Sequence, residues 1–424
     1  MSEPTEQELK HLNDLVAPVQ SKITVGKIAS LPYVGLEQIP SSGAYLNEWL
    51  TAGSSISTNA VFQTGDVLFG KLRPNLRKCV AAPFDGYCST EILVLRVRPR
   101  VDPRFAVRVF QSDLVVRVAE QTAVGTKMPR TSWEALSELA VFCPEPPEQR
   151  AIADVLDGVD ASIQQKEVNI EKLKQVKQGL LHDLLTRGID SDGELRPASQ
   201  QDPSQYGQGR LGPLPLTWKV AQVDWVLQGI DAGKSPDCQD IPARGDEWGV
   251  LKVGAVNPER FKPEENKIVR ERHLKNPAYL LRKGDLLFSR ANTFELVGLV
   301  SQVESPCGHL MLSDKTLRLV VRDDRMTPRF LFWQLQHNRS RAQIEIAATG
   351  TSGSMKNISQ GSLEKIWICR PPLEEQREIS FKLDGIAKRC SDEEEQLSKL
   401  RVLKAGLMDD LLTGRVRVTP LLEK

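Results

Sequence analysis

From Ile152 to Leu184 apolar side chains recur at alternating intervals of four and three residues. The series runs Ile152, Leu156, Val159, Ile163, Ile170, Leu173, Leu180 and Leu184, with Lys166 and Lys177 filling two of its places. A second series runs Ile379, Leu383, Ile386, Cys390, Glu393, Leu397, Leu400, Lys404, Leu407 and Leu411. This spacing is that of an a/d seam, and it predicts two long helices over 147–189 and 373–416. Pro146-Pro147 is well placed to open the first. About 40 residues at ~1.5 Å rise make a helix of roughly 60 Å, longer than one small domain can cover. The two stripes are therefore expected to cover each other. An antiparallel pair is preferred because each helix leaves its own domain and the next domain begins close by. A parallel pair is also open, since residues 190–213 could run back along the helices at ~3.3 Å per residue. Lysine and glutamate at Lys166, Lys177, Glu393 and Lys404 either penalise wrong registers or lie with their stems along the seam edge.

Outside the helices the pattern changes to short apolar runs bounded by Gly, Pro and Asp. Val67-Leu68-Phe69, Ile92 to Leu95 and Val141-Phe142-Cys143 read as buried strands, and Arg104 to Glu120 reads as a helix opened by Pro103. Leu317 to Val321 and Phe330 to Ile346 repeat the strand and the helix further on. The recurrence is general. Glu148-Gln149-Arg150 returns as Glu375-Gln376-Arg377, and Asp183-Leu184-Leu185-Thr186 as Asp410-Leu411-Leu412-Thr413, both shifted by 227. Pro103-Arg104-Phe105 matches Pro328-Arg329-Phe330 at 225, and Gly65-Asp66-Val67-Leu68-Phe69 matches Gly284-Asp285-Leu286-Leu287-Phe288 at 219. Nearly the whole chain is one globular unit plus one helical tail, written twice. The expected organisation is a first α+β domain at 1–146, a helix at 147–189, a polar linker at 190–213, a second α+β domain at 214–372 and a helix at 373–416. The N-terminal stretch Glu6 to Val16 is acidic and expected to be helical.

Composition narrows the class. Of 424 residues, 40% are hydrophobic and 26% charged, the balance of a soluble globular protein. No apolar run approaches the ~18 residues of a membrane span. The polar N-terminus shows no secretory signal, and the seven scattered cysteines form no C-x-x-C pair, so a reducing, cytoplasmic setting is expected. The net charge of +1 leaves any nucleic-acid surface a local matter.

The order of motifs now carries a resemblance. A domain is followed by a Pro-Pro-Glu-Gln-Arg helix ending Gly-Leu-Leu-x-Asp-Leu-Leu-Thr, a linker, Leu214-Pro-x-x-Trp218, a second domain, and a second Glu-Gln-Arg helix ending Leu-Leu-Thr-Gly-Arg. Over residues 25–418 this resembles the specificity subunits of type I restriction–modification systems. The resemblance implies that each domain reads one half of a split double-stranded DNA target, with the helices as ruler. It implies two methyltransferase subunits using S-adenosylmethionine and two restriction/translocase subunits using ATP and Mg, with no cofactor in this chain. The first domain departs from the pattern in lacking Leu-Pro-x-x-Trp.

Each motif suggestive of catalysis departs from the pattern its chemistry needs. Gly229-Ile-Asp-Ala-Gly-Lys-Ser235 has three residues between its glycines where a phosphate loop needs four. Asn276-Pro-Ala-Tyr279 is like an adenine-methyltransferase motif but lacks its second proline. The five histidines have no metal-ligand spacing. No catalytic or metal site is expected. DNA contact is expected from basic and polar residues in matching loops: Lys71, Arg73, Arg77, Lys78, Lys127 and Arg130 in the first domain, and Arg290, Asn292, Ser352, Ser354, Lys356 and Asn357 in the second. Arginine pairs with guanine and asparagine with adenine in the major groove, while lysine mostly meets phosphate. Two other readings stay open: a recognition module separated from a single-chain methyltransferase–nuclease, and a helical scaffold with no DNA role.

Overall fold

The structure, a computed structural model, describes residues 8–24, 31–41, 43, 46, 48–50, 58–350 and 355–419. It divides into two units: Met1–Asn169 with Glu395–Lys424, and Ile170–Glu394.

The first unit begins with a strand, Leu9–His11, one helical turn, α1 (Leu12–Leu15), and a strand, Val16–Pro18. The described part of the Glu6–Val16 stretch is α-helical only over Leu12–Leu15, with extended backbone at Leu9–His11 and Val16. The cause is pairing: Leu9–His11 lies antiparallel to Ala140–Phe142, and Val16–Pro18 to Ile92–Val97. The main sheet then runs Val16–Pro18, Ile92–Val97, Val67–Gly70, Cys79–Ala81, with every pair antiparallel. Val67–Gly70 is buried on both faces, and its alternation sorts two cores. Val67 and Phe69 join Phe105 and Phe110, whereas Leu68 joins Val34, Phe62 and Val80 under a smaller outer sheet.

The helix expected over Arg104–Glu120 is two helices, α2 (Pro103–Gln111) and α3 (Asp113–Gln121). Ser112 is extended and its hydroxyl accepts from the Val115 N–H, so a cap interrupts what periodicity alone would continue. After a short helix, α4 (Trp133–Leu136), the chain enters α5 (Pro146–Thr186). Within this unit residues 395–412 run antiparallel to the first half of α5: Lys404 meets Asp160 at 2.7 Å and Arg401 meets Glu167 at 2.7 Å. Arg108 of α2, 0% exposed, reaches Asp157 and Asp160 of α5, each at 2.5 Å. A cavity of about 450 Å³ beside the α2–α3 corner is lined by Arg77, Asp113, Glu167, Arg401, Asp160 and Lys404. These charges are already paired with one another, which leaves no unpaired group among them for chemistry.

The second unit repeats the plan. α6 (Val223–Val226) sits between the strands Lys219–Gln222 and Leu227–Ala232, as α1 does between its own. Val223, Val226 and Leu227 bury what Leu12, Leu15 and Val16 bury, a correspondence at a shift of 211. The sheet runs Leu227–Ala232, Thr316–Val321, Leu286–Ser289, Val300–Gln302. The helix expected over Phe330–Ile346 is again two, α7 (Pro328–Gln336) and α8 (Asn338–Ala347), parted at His337, whose ring nitrogen caps the Arg339 N–H. A short α9 (Gln360–Glu364) precedes α10 (Leu373–Leu412). Residues 190–213 are folded: Ile189 bridges Leu195, and Tyr206–Gly209 forms a hairpin with Gly212–Pro215. Here Lys174 meets Glu394 at 2.7 Å, the counterpart of Arg401 and Glu167. Every apolar seam residue named above is buried or half-buried.

The α7–α8 corner carries a pH prediction. His337 stacks on His182 at 5.7 Å, and burial, with Arg339 and His182 nearby, lowers its pKa to about 4. The unfolded chain binds this proton near pH 6.5, the folded one only near 4, so acidification favours unfolding between those values. Stability of this unit is expected to fall by on the order of 3 kcal/mol from pH 7 to 4 on this account. Denaturation at each pH should show a smaller fall for His337→Gln; an identical fall would assign the effect elsewhere.

Candidate nucleic-acid interface

The repeated motifs separate into those that hold the fold and those that present side chains. Gly65 and Gly284 turn the chain with φ of +85° and +96°, a region other residues rarely adopt. The following aspartates close the turns and bind an arginine of the neighbouring strand: Asp66 accepts from Gln63 N–H and Arg96, Asp285 from Arg282 N–H and Arg318. In the Glu-Gln-Arg motif, Gln149 accepts from Asp102 N–H at 2.8 Å and donates to the Pro144 carbonyl at 2.7 Å. Gln376 does the same with Thr327 N–H and the Pro371 carbonyl, both at 2.9 Å. The glutamates receive an arginine from beyond the other helix: Arg417 donates to Glu148 at 2.6 Å, and Arg196 to Glu375 at 2.6 Å. Trp218 of Leu-Pro-x-x-Trp also donates to Glu375, at 3.1 Å. In the first unit Glu8 joins Arg417 at 2.7 Å. Recognition of these pairs needed the fold, because the partners lie 179 and 269 residues apart.

What remains is a two-loop platform at the edge of each main sheet. In the first unit Val67–Gly70 runs into a turn in which Arg73 and Arg77, both left-handed at φ +52°, bracket Pro74–Leu76. Left-handed backbone at a residue other than glycine costs ~1–2 kcal/mol, so the surroundings hold it. Arg73 N–H donates to the Pro129 carbonyl at 2.8 Å, and Leu72 bridges Arg130. Val124 and Arg130 exchange both backbone bonds and close the loop between them. The two predicted basic loops are thus neighbours.

Their cations are not equivalent. Arg130 is held by Glu91 through two bonds of 2.8 and 3.1 Å, which lowers the Glu91 carboxyl pKa. Arg77 pairs with Asp113 at 2.5 Å, and Lys78 donates to the Leu36 carbonyl at 2.7 Å. Lys71 is half-buried beside Glu91. Arg73 and Lys127 stand exposed, with the Arg73 guanidinium 3.5 Å from the Lys127 carbonyl.

The second unit builds the same platform from different chemistry. Ala291 and Asn292 pair with Asn357 and Lys356, the places of Leu72 and Arg73 against Arg130 and its predecessor. Thr349 bridges Asn357 as Val124 bridges Arg130. Asn292 accepts from Thr293 N–H at 2.9 Å, and Lys356 donates to the Gly350 carbonyl at 2.8 Å. The Nε of Arg290 is buried without a partner among the described residues. Ser352 and Ser354 lie outside the described residues. Lys71 N–H donates to the Glu91 carbonyl as Arg290 N–H does to that of Lys315. A lysine therefore stands where the first unit has its arginine-holding glutamate. Sequence reading passed over Lys315, because only the register of the sheet brings it to this edge.

The motifs weighed for catalysis have structural roles. Gly229 to Ala232 is strand, paired with Leu317 to Val320, and Ser235 bonds Asp314. Asn276 caps the turn Pro277–Tyr279 by accepting from Ala278 N–H at 3.0 Å. His309 stacks on Trp248 at 5.1 Å. Among the described residues no group of three His, Cys, Asp or Glu is placed to hold a metal ion, and no helix is long and apolar enough to cross a membrane.

The chain is similar to known proteins in sequence and in fold. Residues 231–400 match the model of the type I restriction modification DNA specificity domain. The chain is 28% identical over 247 residues to the type I restriction enzyme EcoEI specificity subunit of Escherichia coli, covering 58% of this chain and 39% of that one. It is 23% identical over 299 residues to the MjaVIII specificity subunit of Methanocaldococcus jannaschii, covering 69% and 66%. The matches thus span less than two thirds of either relative. The crystal structure of a type I restriction–modification S subunit from M. genitalium superposes with a TM-score of 0.59 at 14% identity, over 95% of both chains. A twice-written α+β unit with a Glu-Gln-Arg helix, and a domain model that matches most of its second copy, make this chain similar to the specificity subunits of type I restriction–modification systems.

Proposed function

We propose that this chain is the non-catalytic DNA-reading subunit of a type I restriction–modification complex in the cytoplasm. The first domain (1–146) reads one half of a bipartite duplex target and the second (214–372) reads the other. The helices 147–189 and 373–416 set the spacer and dock two methyltransferase subunits, which bring S-adenosylmethionine; two restriction/translocase subunits bring ATP and Mg. One observation carries the reading: both units present the same two-loop platform, at the same sheet edge, with basic and amide side chains. Exposed apolar side chains on α10, such as Phe381 at 78%, support docking along the helices.

Methylation mapping of a host genome with and without this chain tests the proposal. Adenine methylation at a split target should appear only with it. Methylation of DNA by the purified chain and S-adenosylmethionine alone would overturn it. A chain that never co-purifies with a methyltransferase subunit would favour the separated-module reading.

The spacer has its own test. Four residues inserted in each long helix, between Val168 and Val176 and at the facing part of α10, add ~6 Å of rise. The mapped spacer should lengthen by about one or two base pairs at ~3.4 Å each, with both half-site sequences unchanged. An unaltered spacer would remove the helices as ruler.

A further inference from the structure

The two platforms differ most at their tips. In the first unit the turn after Leu72 presents Arg73, Asn75 and Arg77. At a shift of 219 the second unit places Phe294 at the Asn75 position and Leu296 at that of Arg77. Both are outward, Phe294 46% exposed and Leu296 44%. Met355, 53% exposed, precedes Lys356, the residue that pairs with Asn292 at the start of the turn.

The turn is rigid. Leu296 and Val297 N–H groups donate to the Thr293 carbonyl, and Gly298 N–H to that of Ser289 at 2.7 Å. Gly298 has φ +78°, and a Cβ there would lie 2.3 Å from Ile344, so the chain is pressed onto α8. Arg341 of α8 donates to the Val297 carbonyl at 2.8 Å. Two large apolar side chains are therefore held in water on a pre-formed turn, whereas the neighbouring Val297 is buried. Around them the platform carries Arg290 and Lys356 against Glu295, with Lys315 and Asp314 paired at 3.1 Å, a balance of one positive charge.

We infer that Phe294 and Leu296 form an apolar base-reading tip that contacts the 5-methyl group of a thymine in the second half-site. The inference rests on the DNA-reading function proposed above. In the major groove the thymine methyl is the apolar feature of a base edge, and it lies beside the adenine edge that an amide such as Asn292 recognises. At the places of Phe294 and Leu296 the first unit has asparagine and arginine, while its Met128, 47% exposed, matches Met355, so the two tips differ at the turn after the strand.

The experiment uses the chain assembled with its methyltransferase subunits and a duplex carrying the mapped target. Each thymine of the second half-site is replaced in turn by deoxyuridine, which removes only the methyl. Affinity should fall about fourfold at one thymine, the worth of one buried methyl group. Phe294→Ala with Leu296→Ala should bind the thymine and deoxyuridine duplexes equally, while a first-half-site footprint persists. Phe294→Leu, which keeps an apolar tip, should restore part of the discrimination. If wild-type complex protects both half-sites yet ignores every deoxyuridine, the tip does not read a methyl group and the DNA-reading function stands. A 2-aminopurine signal of unstacking at that half-site, without a deoxyuridine effect, would overturn it in favour of a wedge. Loss of both footprints in the wild type would overturn the underlying function itself.

Discussion

Asp160→Ala is expected to lower the unfolding free energy of the first unit by about 3 kcal/mol, the scale of breaking a buried ion network from one side. Asp160 accepts from Arg108 at 2.5 Å and from Lys404 at 2.7 Å. Removing the carboxylate leaves Arg108, fully buried, with Asp157 as its one acid beside the Gln111 amide, and leaves Lys404 facing the cavity beside α2 without its acid. Two cations lose one anion, and one of them, Arg108, is fully buried. The exposed Asp154, which also pairs with an arginine of α2, provides the contrast. Asp154→Ala should cost less than ~1 kcal/mol, as exposed pairs do. Urea denaturation of both variants measures the difference, and equal midpoints would show that the buried network does not hold α2 to the helices.

The same comparison explains the lysines of the seam. Lys404 and Lys177 occupy matching positions, 227 residues apart. In the first unit the lysine meets Asp160. In the second the matching residue is Ala387, and α7 presents Trp333 where α2 presents Arg108. Lys177 lies 5.9 Å above the Trp333 ring, and the indole N–H donates to Asp384 at 2.9 Å. One cation thus serves two anchors, ionic in one unit and aromatic in the other.

Arg73→Glu combined with Lys127→Glu is expected to weaken binding at the first half-site on the order of 100-fold at moderate salt. Both are exposed, and Arg77, Lys78 and Arg130 already bond Asp113, the Leu36 carbonyl and Glu91. The neutral pair Arg73→Ala and Lys127→Ala should reduce the slope of log affinity against log salt by about two, one per lost phosphate contact. Both variants should unfold at the wild-type midpoint, since neither side chain carries a buried contact. Arg130→Ala should instead destabilise the loop, because Glu91 would lose its partner. Anisotropy titration of the assembled complex on the mapped duplex reads these effects. Unchanged affinity in the charge-reversed variant would take the platform off the DNA face.

Legibility varied with the range over which each feature is encoded. The a/d series predicted both long helices to within a few residues, because a helix writes its buried face locally every three or four positions. The doubling was legible through Gly-Asp and Glu-Gln-Arg, residues with demands that few others meet. The breaks at Ser112 and His337 were missed, since apolar spacing continues through them and only the caps reveal the interruption. The N-terminal stretch, expected to be helical throughout, keeps one helical turn for a related reason. Leu12, Leu15 and Val16 have helical spacing, but Leu9–His11 and Val16–Pro18 are drawn into sheets by partners about 80 to 130 residues away. The basic loops were found from local composition, but which of their cations are already neutralised was not.

From its sequence alone this protein had two copies of an α+β unit, two seam-bearing helices and no spacing suited to catalysis or metal binding. Each of these is carried by local periodicity or by residue types at short range. Tertiary structure alone decided that Arg130 is spent on Glu91 while Lys315 takes the matching place, that Arg417 and Arg196 close on glutamates of distant helices, and that Phe294 and Leu296 stand outward. The reason is physical: pairing of charges and exposure of apolar tips depend on sheet register and long-range contact, and neither is written in the spacing of neighbouring residues.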